Sequence, residues 1–235
     1  MTSPLHRERA DARPRPAVAD EPPHATVSRT GPPDLPAVAD DGPLRHRARE
    51  VLEVPGGAAV RTSVHGVAAL SALSLVAALP WGAVGLALIA LVLLGVTLAR
   101  VVHLPGGLQL LVSITLLVAA WAALLQLYQR WWWLDVVVHL VATGLLTLLA
   151  VVLLARTGLL RTAARGGPAG LRLAAVALAV GLVLSVLWEL GEWAGHLYLD
   201  PAIYVSLTDT VGDLTAGGLG AAVVAWRLAT RRTVP

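Results

Sequence analysis

A chain of 235 residues that is 56% hydrophobic and only 14% charged, with a mean hydropathy of +0.70, cannot cover itself in water, which excludes a soluble globule. The absence of cysteine excludes disulfides, thiolate catalysis and cysteine metal clusters. The net charge of +3 and pI of 10.1 average over unlike parts: residues 1–60 hold 8 Arg and 9 acids, residues 61–235 hold 10 Arg and 6 acids. Those Arg are scattered singly between apolar runs and form no basic face, so nucleic acid is not an expected partner.

Residues 1–60 contain 10 of the 15 prolines and almost no apolar periodicity, which predicts a disordered tail rich in Pro, Arg and Asp. No apolar stretch within the first 30 residues suits a cleavable signal peptide. Residues 61–235 then read as one transmembrane domain of apolar runs, each near the ~20 residues a helix needs to cross ~30 Å of hydrocarbon. Spans are expected at 63–79, 82–101, 107–127, 134–155, 171–197 and 208–229. Pro80-Trp81-Gly82, Pro105-Gly106-Gly107, Gly166-Gly167-Pro168 and Asp200-Pro201 punctuate them. The runs are too long, and too poor in alternation, for barrel strands. The expected fold is an all-α polytopic helical bundle of about six spans, seated in a lipid bilayer.

Six spans put both termini on one side. That side collects Arg45, Arg47, Arg49, Arg61, Arg100, Arg156, Arg161, Arg165, Arg172, Arg231 and Arg232, against Arg130 alone on the other. The positive-inside rule then places both termini in the cytoplasm of a multi-pass cytoplasmic-membrane protein. Trp131, Trp132 and Trp133 read as an aromatic belt at the outer interface. His65 and His103, at cytoplasmic span ends, are interfacial and carry no expected chemistry.

The last three spans carry Asp135 and His139, then Glu189, Glu192 and His196, then Asp209 and Asp213. An ionisable group at membrane depth costs at least ~2.5 kcal/mol, so such groups face a cavity, a bundle interior or one another. At 100° per residue, Asp135 and His139 differ by about 40°, as do Asp209 and Asp213, while Glu189, Glu192 and His196 fall within about 60°. Each helix therefore presents one polar stripe. The stripes continue inward through Ser185 and Gly181, and through Gly217 and Gly220, small residues that allow close helix approach. Five carboxylates with no Lys nearby require protons or a cation. Carboxylate and imidazole ligands without sulfur suit a divalent metal: Zn, Mn, Fe or Mg. Asp135, His139, Glu192, His196 and Asp209 are the expected ligands, with Glu189 or Asp213 as general base. The same set also fits a proton- or cation-coupled transporter, or a non-catalytic envelope protein with a polar structural core. Weaker patterns compete with these. Asp209 and Asp213 form a lone DxxxD pair, and a Ser185, His196 and Asp213 triad would have to bridge about 16 Å along one helix.

Leu134-Asp135 through His139 with Gly144, Trp188-Glu189-Leu-Gly-Glu192-Trp193, and Thr208-Asp209-Thr210-Val-Gly-Asp213 with Gly217 to Ala221 resemble the three signature blocks of YjdF-type predicted inner-membrane proteins. More distantly the blocks are similar to VanZ-like proteins of the cell envelope. Here no Arg follows Asp135, Thr208 stands where those families have Trp, and Glu192 where VanZ-like chains tend to have Gln. The resemblance implies a polytopic helical fold and a shared site, and no particular reaction. Metal-assisted hydrolysis or transfer on an envelope lipid or lipid-linked substrate is the chemistry to expect if the protein is an enzyme. Oligomeric state is not legible.

Overall fold

In hydrocarbon a helix is the arrangement by which a single segment satisfies its own backbone hydrogen bonds, and the apolar runs of this chain take it. The computed structural model describes residues 53–160 and 167–230. Its order is α1 (Ala58–Ala77), a 3₁₀ turn (Leu79–Trp81), α2 (Gly82–Val101), α3 (Gly106–Leu124), the one-turn α4 (Leu127–Arg130), α5 (Trp132–Arg156), α6 (Gly167–Tyr198) and α7 (Leu207–Thr230), with no strand among the described residues. Most of the expected tail, with Arg45, Arg47 and Arg49, lies outside the described residues, as do Arg161, Arg165, Arg231 and Arg232.

Helix limits differ from the expected spans where local chemistry says they should. α1 starts at Ala58 rather than 63, because nothing after Gly57 breaks a helix and Arg61 donates to the Gly56 carbonyl at 2.8 Å. It ends at Ala77 because Pro80 has no N–H to continue the ladder and the chain tightens into the 3₁₀ turn. α3 stops at Leu124, short of 127, where Gln126 adopts φ 54° and redirects the backbone into α4.

Five helical segments are long and apolar enough to cross a membrane, and α7 is not among them. Its 24 residues are long enough, at about 36 Å, but Asp209, Asp213 and a run of Gly and Thr dilute its apolar content. The dilution has a structural reason: α7 turns its small and polar face onto α5 and α6. The chain is thus a multi-pass helical membrane protein. Its surface is correspondingly apolar, with Leu73, Val76, Leu94 and Val183 exposed, while Ser71, Ser113, Thr147 and Ser185 are buried.

Two three-helix groups make the bundle. In α1–α3, Ile89, Val92, Val96, Leu117 and Leu124 form the core. Trp81 donates through Nε1 to the Leu124 carbonyl at 2.8 Å, Trp121 donates to Ser74 Oγ at 3.1 Å, and the two indoles meet edge to face at 5.7 Å. A second apolar cluster, including Val102, Val112, Leu149 and Val152, joins this group to α5. In α5–α7 the backbones themselves meet. A Cβ on Gly220 would overlap the Leu140 carbonyl oxygen, and one on Gly181 would lie against Ala221 and Thr147. One on Gly217 would meet Ser185 and, at 3.0 Å, Thr143 Oγ1.

Candidate metal centre

Short connections make neighbouring long helices antiparallel, so the start of α5, the end of α6 and the start of α7 share one end of the bundle. Asp135 sits in the first turn of α5, where the helix dipole favours a carboxylate, and His139 lies one turn deeper. α7 begins on Ser206, whose Oγ accepts the Asp209 N–H at 3.1 Å and caps the helix. Asp213 follows one turn in. Near the end of α6, Trp193 Nε1 donates to Thr210 Oγ1 at 3.1 Å and ties that helix to the first turns of α7. Trp188 stands edge-on to the His139 ring at 6.4 Å.

These elements bring ligand atoms together in two groups, Asp135 with His139 and Asp213, and Glu189 with Glu192 and Asp213. Within each group the atoms lie within 4.8 Å of one another. His139 Nε2 is 3.4 Å from Asp135 Oδ1 and 3.9 Å from Asp213 Oδ2. Both separations exceed a good N–H···O bond, and they approach the edges of a tetrahedron about 3.4 Å on a side that ligands at ~2.0–2.1 Å draw around Zn²⁺. The deepest members are nearly sealed, with Asp213 3% and Glu189 5% exposed. Glu189 Oε1 and, one turn below it, Ser185 Oγ are buried without a hydrogen-bond partner.

The geometry brings some of the expected residues together and leaves others apart. Glu189 and Asp213, expected as alternative general bases, converge with the ligand atoms, and Asp213 belongs to both groups. Asp209, an expected ligand, lies one turn nearer the helix end and joins neither group. His196, also an expected ligand, joins neither. Its Nδ1 lies 2.7 Å from the Ile203 carbonyl, and that contact requires Nδ1 to carry the proton and to donate. Ser185, buried nearly three turns below His196, assembles no nucleophilic triad with it. Arg130 has its guanidinium 5.9 Å from the Trp131 ring, and all three indoles of the Trp triplet are exposed.

Tyr128, on α4, is a neighbour that spacing did not reveal. Burial, and beyond it the carboxylates of Asp135, Glu192 and Asp213, hold its phenol above the ordinary range, and the hydroxyl donates to the Ala119 carbonyl at 3.0 Å. A connector residue has no helical periodicity to mark it, so only the fold reveals this placement.

The family described as Predicted membrane protein (DUF2238) matches residues 59–233, nearly the whole helical region. No curated protein and no solved structure matches the chain.

Proposed function

We propose that this chain, which belongs to that family of predicted membrane proteins, binds a divalent transition metal at the α5–α7 end and uses it for hydrolysis or transfer on a membrane lipid or lipid-linked substrate. Asp135, His139, Glu189, Glu192 and Asp213 hold the metal. The observation that carries the reading is convergence from three helices onto a buried point where Glu189 Oε1 has no protein partner. A structural polar core accounts for this less well, because buried polar groups that serve packing are normally satisfied. A transport path is disfavoured by what lies beneath the cluster, where the Gly220 and Gly144 contacts close the α7 and α5 backbones on each other and Gly181 of α6 packs against Ala221 of α7.

Depth supports a lipid substrate. α5 spans about 37 Å, so His139, seven residues from its start, sits only about 7 Å inside a ~30 Å hydrocarbon layer. Asp135 and Asp209 lie near the layer's edge, where the bonds joining lipid headgroups to their chains are found. Arg61, Arg100, Arg156, Arg172 and Arg227 mark the opposite end, and Arg130 is the only arginine described at the site end. The cluster therefore opens on the extracytoplasmic leaflet of the cytoplasmic membrane, with both termini inside. A divalent ion supplies Lewis acidity to a phosphoryl or carbonyl oxygen. Asp209, outside both ligand groups and nearer the surface, is placed to take the proton of an attacking water or alcohol. The likeness of the three blocks of acidic and His residues to the YjdF-type signature supports a kinship with those proteins within the family.

The test is elemental analysis of the purified chain beside a variant carrying Asp135→Ala and His139→Ala. The expected result is stoichiometric metal in the first and a clear fall in metal content in the second. No metal in the wild type, and no thermal shift on adding Zn²⁺, Mn²⁺, Fe²⁺ or Mg²⁺, would falsify the reading. The reaction has its own readout: Asp209→Asn should keep the metal and abolish release of headgroups from vesicles of polar lipid. Headgroup release undiminished in Asp209→Asn would remove that residue's role.

A further inference from the structure

The two ligand groups are not alternatives, because Asp213 is a member of each. We infer that the site is a dinuclear centre in which Asp213 bridges two divalent cations, one held with Asp135 and His139, the other with Glu189 and Glu192. The inference rests on the metal-binding reading above and adds a stoichiometry and a role to it.

Three observations converge on it. A carboxylate has two oxygens and can give one to each ion, and Asp213, 3% exposed, is held between the His139 side and the Glu189 side. Two-metal sites place their ions about 3.5–4 Å apart, which suits groups whose ligand atoms lie within 4.8 Å and share one residue. The second group also carries its own independent sign. Glu189 is 5% exposed and its Oε1 has no partner, so an ion satisfied by Asp135, His139 and Asp213 alone would leave that oxygen buried and bare.

Charge is compatible with this count. The two groups contain four carboxylates, Asp135, Glu189, Glu192 and Asp213, with one imidazole, and neither contains Arg. The chain has no Lys. Two divalent ions balance four ionised carboxylates, whereas with one ion two of the four must carry protons.

The experiment uses the full chain in detergent, stripped with chelator and loaded with Mn²⁺ alone, with bound ion counted and followed by electron paramagnetic resonance. The wild type should hold two ions per chain and show the closely spaced multiline spectrum of a spin-coupled pair. His139→Ala and Glu192→Gln should each halve the stoichiometry and restore the simple hyperfine pattern of an isolated ion. Asp213→Asn should abolish the coupled signal. Should that variant fail to fold, the wild type and the other two variants still decide the question. A single uncoupled ion in the wild type overturns the dinuclear centre while leaving metal binding intact. Two uncoupled ions overturn the bridge. No bound ion removes the metal reading itself, and this inference with it.

Discussion

Replacing Gly220 with alanine adds one methyl where α7 crosses α5. An ideal Cβ there would lie 3.0 Å from the Leu140 carbonyl carbon and 3.1 Å from the Gly144 nitrogen, and closer still to the Leu140 oxygen. All three are backbone atoms, so no side chain can swing aside, and the helices must part by on the order of 1 Å. Overpacking of this kind costs about 1–3 kcal/mol, against a gain of up to ~1 kcal/mol from better helix propensity. A net loss near 1–2 kcal/mol should lower the midpoint of tryptophan-detected thermal unfolding by about 5 °C. The disturbance also reaches the site. Asp213 is two turns from Gly220, about 10 Å along α7, and its 3.9 Å approach to His139 spans the same helix pair. Coordination distances tolerate only ~0.2 Å, so metal affinity should fall by about tenfold or more. Gly212→Ala is the matched control, because a Cβ there meets nothing within 4 Å. If Gly220→Ala melts no lower than Gly212→Ala and binds metal equally well, the close crossing of α5 and α7 is not what positions the site.

Three further outcomes can be checked. Saturating Mn²⁺ or Zn²⁺ at about 100 times Kd should stabilise the chelator-stripped protein by about 2.7 kcal/mol for each site filled, an effect that Asp135→Ala with His139→Ala should reduce. Ser185→Ala removes a buried hydroxyl that has no partner, so its unfolding midpoint should hold or rise, by up to about 1 kcal/mol, and a clear fall would show that the hydroxyl is bonded. Because the chain has no cysteine, single introduced ones report topology. Ala202→Cys, in the loop between α6 and α7, should react with an impermeant maleimide in intact cells, and Gly107→Cys only after permeabilisation. The reverse pattern would turn the site towards the cytoplasm.

Much of the helical architecture was legible because hydrocarbon leaves the backbone few choices. Apolar runs mark where helices can lie, and Pro and Gly mark where they stop. Angular spacing was equally informative about which side chains share a face, since Asp135 with His139, and Glu189 with Glu192, follow from 100° per residue alone. What spacing cannot supply is the rotation of one helix against another. That rotation decides that Asp213 reaches both His139 and Glu189, while Asp209, on the same stripe, reaches neither group. His196 shows a second limit. It lies on the same stripe as Glu192, yet the loop before α7 folds back and engages its Nδ1 through Ile203, a non-helical contact that periodicity does not encode. The helix limits at Ala58 and Leu124 depended on turn geometry, at Gly57 and Gln126, of the same local kind.

The two halves of the bundle differ in how they treat buried polar groups, and that contrast supports the metal reading more than any single residue does. In α1–α3 the buried hydroxyls are satisfied at home: Ser71, Ser74 and Ser113 donate to the carbonyl four residues earlier at 2.9, 2.9 and 2.7 Å, and Trp121 adds a donor to Ser74. Gln109 and Arg100 are partial exceptions: Gln109 has Nε2 on the Leu104 carbonyl at 2.8 Å and Oε1 unpaired, and Arg100 Nε is buried without a partner. The three serines need nothing from outside the chain. In α5–α7 the glycine contacts bring the helices together against one another and against the hydroxyls of Thr143, Thr147 and Ser185, below the acids. The oxygen left bare at Glu189, unlike those of Gln109 and Ser185, belongs to an ionisable carboxyl group, whose burial without a partner costs most. A bound cation removes that cost. The same step accounts for why the least apolar helix of the bundle, α7, turns its acidic face onto α5 and α6.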